Sequence, residues 1–205
     1  VLAAATRGDE LGLGKRVAVI GGGNVAMDAA RTALRHGSSV DILYRRREQD
    51  MPADAEEIRE AKAEGSRLIE KAIPLEVKDA AGALAGRAAV FVWNDAIMVQ
   101  KEKGKRPVPE AIPGAIHEET YDSIIAAIGQ GPDLSFVSEA DGVEMKRFKP
   151  VVDASGRTGA SGAAGSAAIF AGGDLVNDRK DAISAIADGH RAAVGIDRLL
   201  GGKGA

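Results

Sequence analysis

Apolar and polar positions predict a strand, a turn and a helix in succession near the start of the chain. A β-branched apolar run, Val17-Ala18-Val19-Ile20, leads into Gly21-Gly22-Gly23. Val25, Ala26, Ala29, Ala30, Ala33 and Leu34 then recur at helical spacing, and Gly37 is placed as the C-terminal cap. Val40, Ile42 and Tyr44 alternate with Asp41 and Leu43 as a mostly buried strand. Met51-Pro52-Ala53-Asp54 opens a second helix, since proline is tolerated in a first turn. That helix runs to Glu64 with Ala55, Ile58 and Lys62 on one side, and stops at Gly65.

Residues 67–117 change character. Short β-prone runs (Leu68-Ile69, Leu75-Glu76-Val77, Ala88-Ala89-Val90-Phe91-Val92-Trp93) are separated by Gly82, Gly86, Gly104 and Pro107, which predicts an antiparallel meander. Residues 101–106, rich in lysine, form its solvated hairpin tip. A buried strand follows at residues 121–128, closed by Gly129-Gln130-Gly131-Pro132. Open α/β sheets bind ligands beyond the carboxyl ends of such strands. Past Asp133 a second unit begins, with a short strand at Pro150-Val151-Val152-Asp153 and a Gly/Ala/Ser-rich loop at residues 154–167. A strand at residues 168–174 breaks into a turn. Asp181 caps a long helix whose apolar side carries Ala182, Ile183, Ile186, Ala193, Ile196 and Leu200, ending at Gly201-Gly202. The fold class is α/β, with a central parallel sheet, an antiparallel meander and a smaller C-terminal piece.

Read from Gly21, the first turn spells G-x-G-x-x-A between strand and helix, the context of a Rossmann-like dinucleotide-binding βαβ unit. Gly21 permits the tight turn, Gly23 lets the backbone approach a pyrophosphate, and Ala26 lets helix and strand pack closely. Unpaired N–H groups at the helix start favour the anion. The second strand ends at Arg45-Arg46-Arg47, and Arg45 lies 22 residues after Gly23, where an NAD site places a carboxylate for the ribose 2′-hydroxyl. A guanidinium there grips a 2′-phosphate through charge-assisted bonds instead. NADP(H) is therefore preferred over NAD(H); a solvated basic edge is the competing reading. Asp41, the other acidic candidate, comes several residues too early.

Among 205 residues, 45% are hydrophobic but only 3% aromatic, so alanine and branched aliphatics must fill the core. A net charge of −3 offers no reason to expect nucleic acid or an anionic membrane as partner. No stretch approaches the roughly 20 apolar residues of a membrane span, and no secretory pattern opens the chain, so the expected setting is cytoplasmic. The absence of cysteine excludes disulfides and cysteine-ligated iron–sulfur clusters within the chain. His36, His117 and His190 lack metal-face spacing, and no metal site is expected. Lys15 after Gly14 is no P-loop, because position 9 is Asp9 and position 16 is Arg16. A start at Val1 without methionine suggests a fragment of something larger.

Five segments occur in an order that resembles one family: Gly21-Gly22-Gly23-Asn24-Val25-Ala26-Met27-Asp28, Tyr44-Arg45-Arg46, Met51-Pro52-Ala53, residues 127–133, and Phe170-Ala171-Gly172-Gly173-Asp174. They look like the NADPH-dependent glutamate synthase small-subunit family of FAD/NAD(P)-binding oxidoreductases, with a pyridine nucleotide-disulfide oxidoreductase-like fold. The related NADPH:ferredoxin-type reductases and part of dihydropyrimidine dehydrogenase share the pattern. The resemblance implies an FAD domain split in sequence by an inserted NADPH domain: residues 1–14 a linker from the missing FAD half, 15–130 the NADPH domain, 131–205 the C-terminal portion of the FAD domain.

Carried over by position, Gly21, Gly23, Asn24 and Val25 would hold the NADPH pyrophosphate, and Arg45 and Arg46 its 2′-phosphate. Gly129 and Gln130 would lie toward the nicotinamide. Gly173 and Asp174 would meet the FAD ribityl chain, while the helix start at Ala182 and Ile183 would aim N–H groups at the flavin's pyrimidine edge. The family's first FAD βαβ unit and cysteine-bearing iron–sulfur segment are absent from this sequence. The resemblance implies a hydride passed from NADPH to FAD and on to iron–sulfur clusters in other segments or partners, a large catalytic subunit or a ferredoxin-like acceptor. The chain alone is expected to be inactive, and no general acid, base or nucleophile is assigned.

Two other functions compete. A self-sufficient NADP-dependent dehydrogenase would need a proton donor, yet neither Tyr44 nor Tyr121 is followed four residues later by lysine. A non-catalytic NADP-binding module reporting redox state to a partner fits the same motif.

Overall fold

The computed structural model describes residues 1–81, 88–137, 141–159, 168–179 and 181–204. Gly82 and Gly86, expected to punctuate the meander, and residues 160–167 of the expected loop lie outside the described residues. The chain divides into two compact units, Val1–Gly129 and Gln130–Ala205.

The first unit starts with a short helix, α1 (Leu2–Thr6), then β1 (Arg16–Ile20), α2 (Asn24–Arg35), β2 (Ser39–Tyr44), α3 (Ala55–Ala63) and β3 (Arg67–Glu70). An antiparallel excursion of β4 (Ala72–Asp79), β5 (Ala89–Val99) and β6 (Val108–Tyr121) precedes β7 (Ser123–Ala126). The parallel sheet has the order β3-β2-β1-β7, and the meander β4-β5-β6. Both faces of the parallel sheet are covered, which is why β1 and β2 read as nearly unbroken apolar runs. Alternate side chains serve different cores. Val17 and Val19 join Ala26, Ala30, Ala33 and Ile42 beneath the helices. Ala18 and Ile20 join Leu43, Phe91, Trp93 and Tyr121 beneath the meander.

Within this unit several expectations need correction. Leu68 and Ile69 belong to the parallel sheet and not to the meander, because α3 returns the chain so that β3 pairs parallel to β2. The stripe that α3 buries is Ile58 and Ala61, whereas Ala55 and Lys62 are exposed and the Lys62 ammonium reaches Glu48. The strand expected at 121–128 is two pieces. Tyr121 ends β6, and Asp122 turns the chain into β7 while its carboxylate accepts the Lys15 and Arg16 N–H groups at 2.7 and 2.8 Å.

Asp41 lies at the start of β2, away from the glycine turn. It accepts the Tyr121 hydroxyl (2.9 Å), two N–H groups of Arg67 (both 2.7 Å) and one of Arg16 (3.2 Å). Glu119 completes the cluster by pairing with both arginines. The network joins the parallel sheet to the meander strand β6. Asp41 is thus committed to structure, and the acidic alternative for the ribose falls away.

In the second unit, β8 (Met145–Lys146) and β9 (Lys149–Pro150) form a small hairpin. Val152 makes only an isolated bridge to Thr158, so the strand expected at 150–153 is shorter and earlier. Phe170 bridges Arg157 before a 3-10 turn at Gly173–Leu175. The long helix α4 (Ala182–Leu199) begins at its cap Asp181, whose carboxylate accepts the Ser184 N–H at 2.7 Å. Its packed side differs from the expected apolar one. Ile183 and Ile186 are 82% and 62% exposed. Contact with the rest of this unit is made by Ala185, Asp188, Ala192 and Gly195, small enough to lie against Gly156, Phe170, Gly172 and Gly173. No helix of the described residues is long and apolar enough to cross a membrane, and none of their His, Asp and Glu side chains cluster in threes as metal ligands.

Candidate functional site

At the carboxyl end of β1 the three glycines have three different reasons to be there. Gly21 has φ +145° and its N–H donates to the Leu43 carbonyl at 3.0 Å. A Cβ on it would lie 2.3 Å from the carbonyl oxygen of Ala127, the residue just past β7, which leaves no room. Gly22 lies against the Tyr44 ring, where a Cβ would come within 2.6 Å of ring carbons. Gly23 differs. It has φ −95° and ψ 173°, which any residue adopts, and nothing among the described residues lies within 4 Å of a Cβ built there. The fold does not require glycine at that position.

Gly23 is the N-cap of α2, and no side chain caps the helix. The first-turn amides of Asn24 and Val25 therefore have no side-chain acceptor, and Val25 is 59% exposed. Ala26 is fully buried against the sheet, as close helix–strand contact requires. The Asn24 side chain turns away from this opening. Its amide donates to the Asp54 carboxylate at 3.1 Å, and its oxygen accepts the Asp54 N–H at 2.8 Å. The Ala53 N–H donates to the Gly22 carbonyl at 3.1 Å. Met51-Pro52-Ala53-Asp54 thereby clamps the glycine turn from the side, a role invisible in the sequence because its partners lie 30 residues apart.

The three arginines after β2 also divide. Arg47 pairs with Asp50 at 2.8 Å, and that bond draws the Asp50 carboxyl below its ordinary pKa. The Asp50 carbonyl accepts the Tyr44 hydroxyl at 3.0 Å, so the loop folds back over the ring that contacts Gly22. Arg45 is exposed, and Arg46 is partly buried. The Arg46 Nε is buried with no hydrogen-bond partner among the described residues. A buried N–H left so costs about 1–3 kcal/mol until an acceptor arrives.

Gly129, with φ +93°, stands three residues beyond β7 and closes the first unit; Gln130 opens the second, and both are exposed. Within the second unit the Gly173 N–H donates to Asp188 at 2.9 Å, Asp174 is exposed, and Ala182 and Ile183 form the exposed first turn of α4. Neither tyrosine is available as a proton donor. Tyr44 is spent on Asp50, and Tyr121 on Asp41.

Residues 2–189 match the family model described as pyridine nucleotide-disulphide oxidoreductase. The chain is 40% identical over 189 residues to the NADP(+)-dependent formate dehydrogenase subunit beta of Moorella thermoacetica, covering 91% of this chain and 25% of that protein. It is 33% identical over 189 residues to the glutamate synthase [NADPH] small chain of Escherichia coli, covering 91% of this chain and 39% of that one. The chain thus spans well under half the length of these curated relatives. Its fold is that of Lactococcus lactis thioredoxin reductase, with a TM-score of 0.69 at 24% identity over 96% of this chain and 56% of that one.

Proposed function

Because the chain belongs to the pyridine nucleotide-disulphide oxidoreductase family, we propose that it forms the NADP(H)-binding portion of a flavin-dependent oxidoreductase of the glutamate synthase small-subunit type. The observation that carries this reading is Gly23, a glycine that neither its dihedral angles nor its protein neighbours demand. A pyrophosphate approaching the backbone demands it. The open first turn of α2 supplies the donors, through the backbone of Asn24 and Val25. The Asn24 side chain contributes by holding Asp54.

Arg45 and Arg46 would take the 2′-phosphate. The orphaned Arg46 Nε supports this, as does the commitment of Asp41 and Asp50 to other arginines. Gly129 would lie toward the nicotinamide, with Gln130 next along the chain. In the second unit Asp174 would accept from FAD ribityl hydroxyls beside Gly173, and the first turn of α4 at Ala182 and Ile183 would face the flavin. The chemistry these groups supply when bound is hydride transfer from NADPH to FAD, with electrons leaving through iron–sulfur clusters elsewhere to a large catalytic subunit or a ferredoxin-like acceptor.

Calorimetric titration of the chain with NADPH and with NADH tests the nucleotide assignment. NADPH is expected to bind at least tenfold more tightly, a gap of about 1.4 kcal/mol. Replacing Arg45 and Arg46 together by alanine is expected to remove that gap while leaving NADH binding unchanged. Equal affinities in the unaltered protein would return both arginines to a solvated basic edge.

A further inference from the structure

Lys71, one residue beyond β3, has φ +57°, a left-handed conformation that normally selects glycine or asparagine. A lysine there carries a backbone cost of about 1 kcal/mol. Such an outlier calls for a reason. Its N–H donates to the Arg46 carbonyl at 2.9 Å, which ties Lys71 to the arginine turn although 25 residues separate them. Lys71 lines the same cavity as Arg47, beside Met51 and Ala53 of the clamp.

The charges around that cavity are unequally satisfied. Arg47 is paired with Asp50 and Glu48 with Lys62, while the Glu70 carboxylate accepts the Glu48 N–H and adds to the Asp50 bond in raising the Arg47 pKa. Lys71 is exposed and has no ion pair or side-chain hydrogen bond among the described residues. Arg59 also lines the cavity, but it sits on α3 without the backbone tie to Arg46.

We infer that Lys71 is a third cation of the 2′-phosphate site and helps determine preference for NADP(H) over NAD(H). The inference rests on the NADP(H) reading given above. An ammonium on a flexible stem acts as a point charge that completes the guanidinium pair. The left-handed backbone fixes where that stem begins.

The test uses Lys71→Asn and Lys71→Gly, which suit the left-handed conformation and remove the charge, and Lys71→Arg, which keeps it. Thermal melts establish that each variant folds. Adenosine 2′-monophosphate, NADPH and NADH are the probes in calorimetry. The neutral variants are expected to lose five- to tenfold in affinity for NADPH and adenosine 2′-monophosphate with NADH unchanged, while Lys71→Arg stays within twofold of the unaltered protein. Equal losses for NADPH and NADH would make Lys71 a structural residue and overturn the inference. So would an unchanged NADPH to NADH ratio in a protein whose preference Arg45→Ala still reduces. If the unaltered protein shows no preference at all, the NADP(H) reading itself fails, and Lys71 falls with it.

Discussion

Alanine in place of Gly23 is expected to weaken NADP(H) binding at least about thirtyfold, roughly 2 kcal/mol, and to leave the fold intact. The φ of −95° suits alanine, and its methyl would meet no neighbour among the described residues within 4 Å. In a helix cap the exchange of glycine for alanine changes stability by less than about 1 kcal/mol. The methyl would instead occupy the space that a pyrophosphate needs to reach the α2 amides. Gly21→Ala and Gly22→Ala provide the contrast. There the methyl would lie 2.3 Å from the Ala127 carbonyl oxygen or 2.6 Å from the Tyr44 ring. Each is expected to cost about 1–3 kcal/mol of stability. Thermal melts and nucleotide titrations on the three variants separate the cases, and Gly23→Ala protein that binds NADPH normally would remove the main support for a pyrophosphate at this turn.

Removal of the Asp41 carboxylate is expected to destabilise the first unit strongly. Asp41→Ala leaves the fully buried Tyr121 without its main acceptor and strands the charges of Arg16 and Arg67, with Glu119 left to pair both. A loss of about 2–4 kcal/mol follows, at the lower end of buried ion-pair values because both arginines reach solvent. Urea denaturation measures it directly, and a midpoint unchanged from the unaltered protein would show that the cluster contributes nothing.

The cluster also predicts a pH dependence. Burial opposes ionisation of Asp41, but the Arg67 and Tyr121 hydrogen bonds and the nearby arginine charges outweigh it, so its pKa is lowered. A carboxyl lowered on folding stabilises the protein above its unfolded pKa of about 3.9, and that contribution fades as pH falls through the folded value. For Tyr121, burial first and then the bond to Asp41 push the hydroxyl up. Its contribution is present below about pH 10 and is lost as pH rises beyond that. The stability gap between the unaltered protein and Asp41→Ala is therefore expected to be widest near neutrality and to narrow below about pH 4. A gap constant from pH 7 to pH 3 would count against the charged cluster.

Glycines, alanines and arginines in the first 50 residues carried most of what can be read without coordinates. The strand-turn-helix at residues 17–34 and the arginines after β2 follow from local periodicity and turn chemistry, which act over a few residues, whereas Pro52, expected in the first turn of α3, lies ahead of that helix, which begins at Ala55. The α/β class follows from the same signals. What depended on distant segments was beyond local pattern. Leu68 and Ile69 look like any short β-prone run, and only pairing with β2 assigns β3 to the parallel sheet. The isoleucines of α4 repeat at helical spacing, yet the face that packs within its unit is the one with small residues, because glycine-rich segments lie against it. The motif spacing singles out Gly23, but only the fold shows that the Tyr44 ring demands Gly22 while nothing among the described residues demands Gly23. Asp41, Asp54 and Lys71 owe their roles to partners 25 to 80 residues away. Sequence alone determined the local conformations and the chemistry on offer. Tertiary structure decided which charges were already satisfied and which stayed unpaired among the described residues, because that depends on desolvation and on neighbours brought together only by folding.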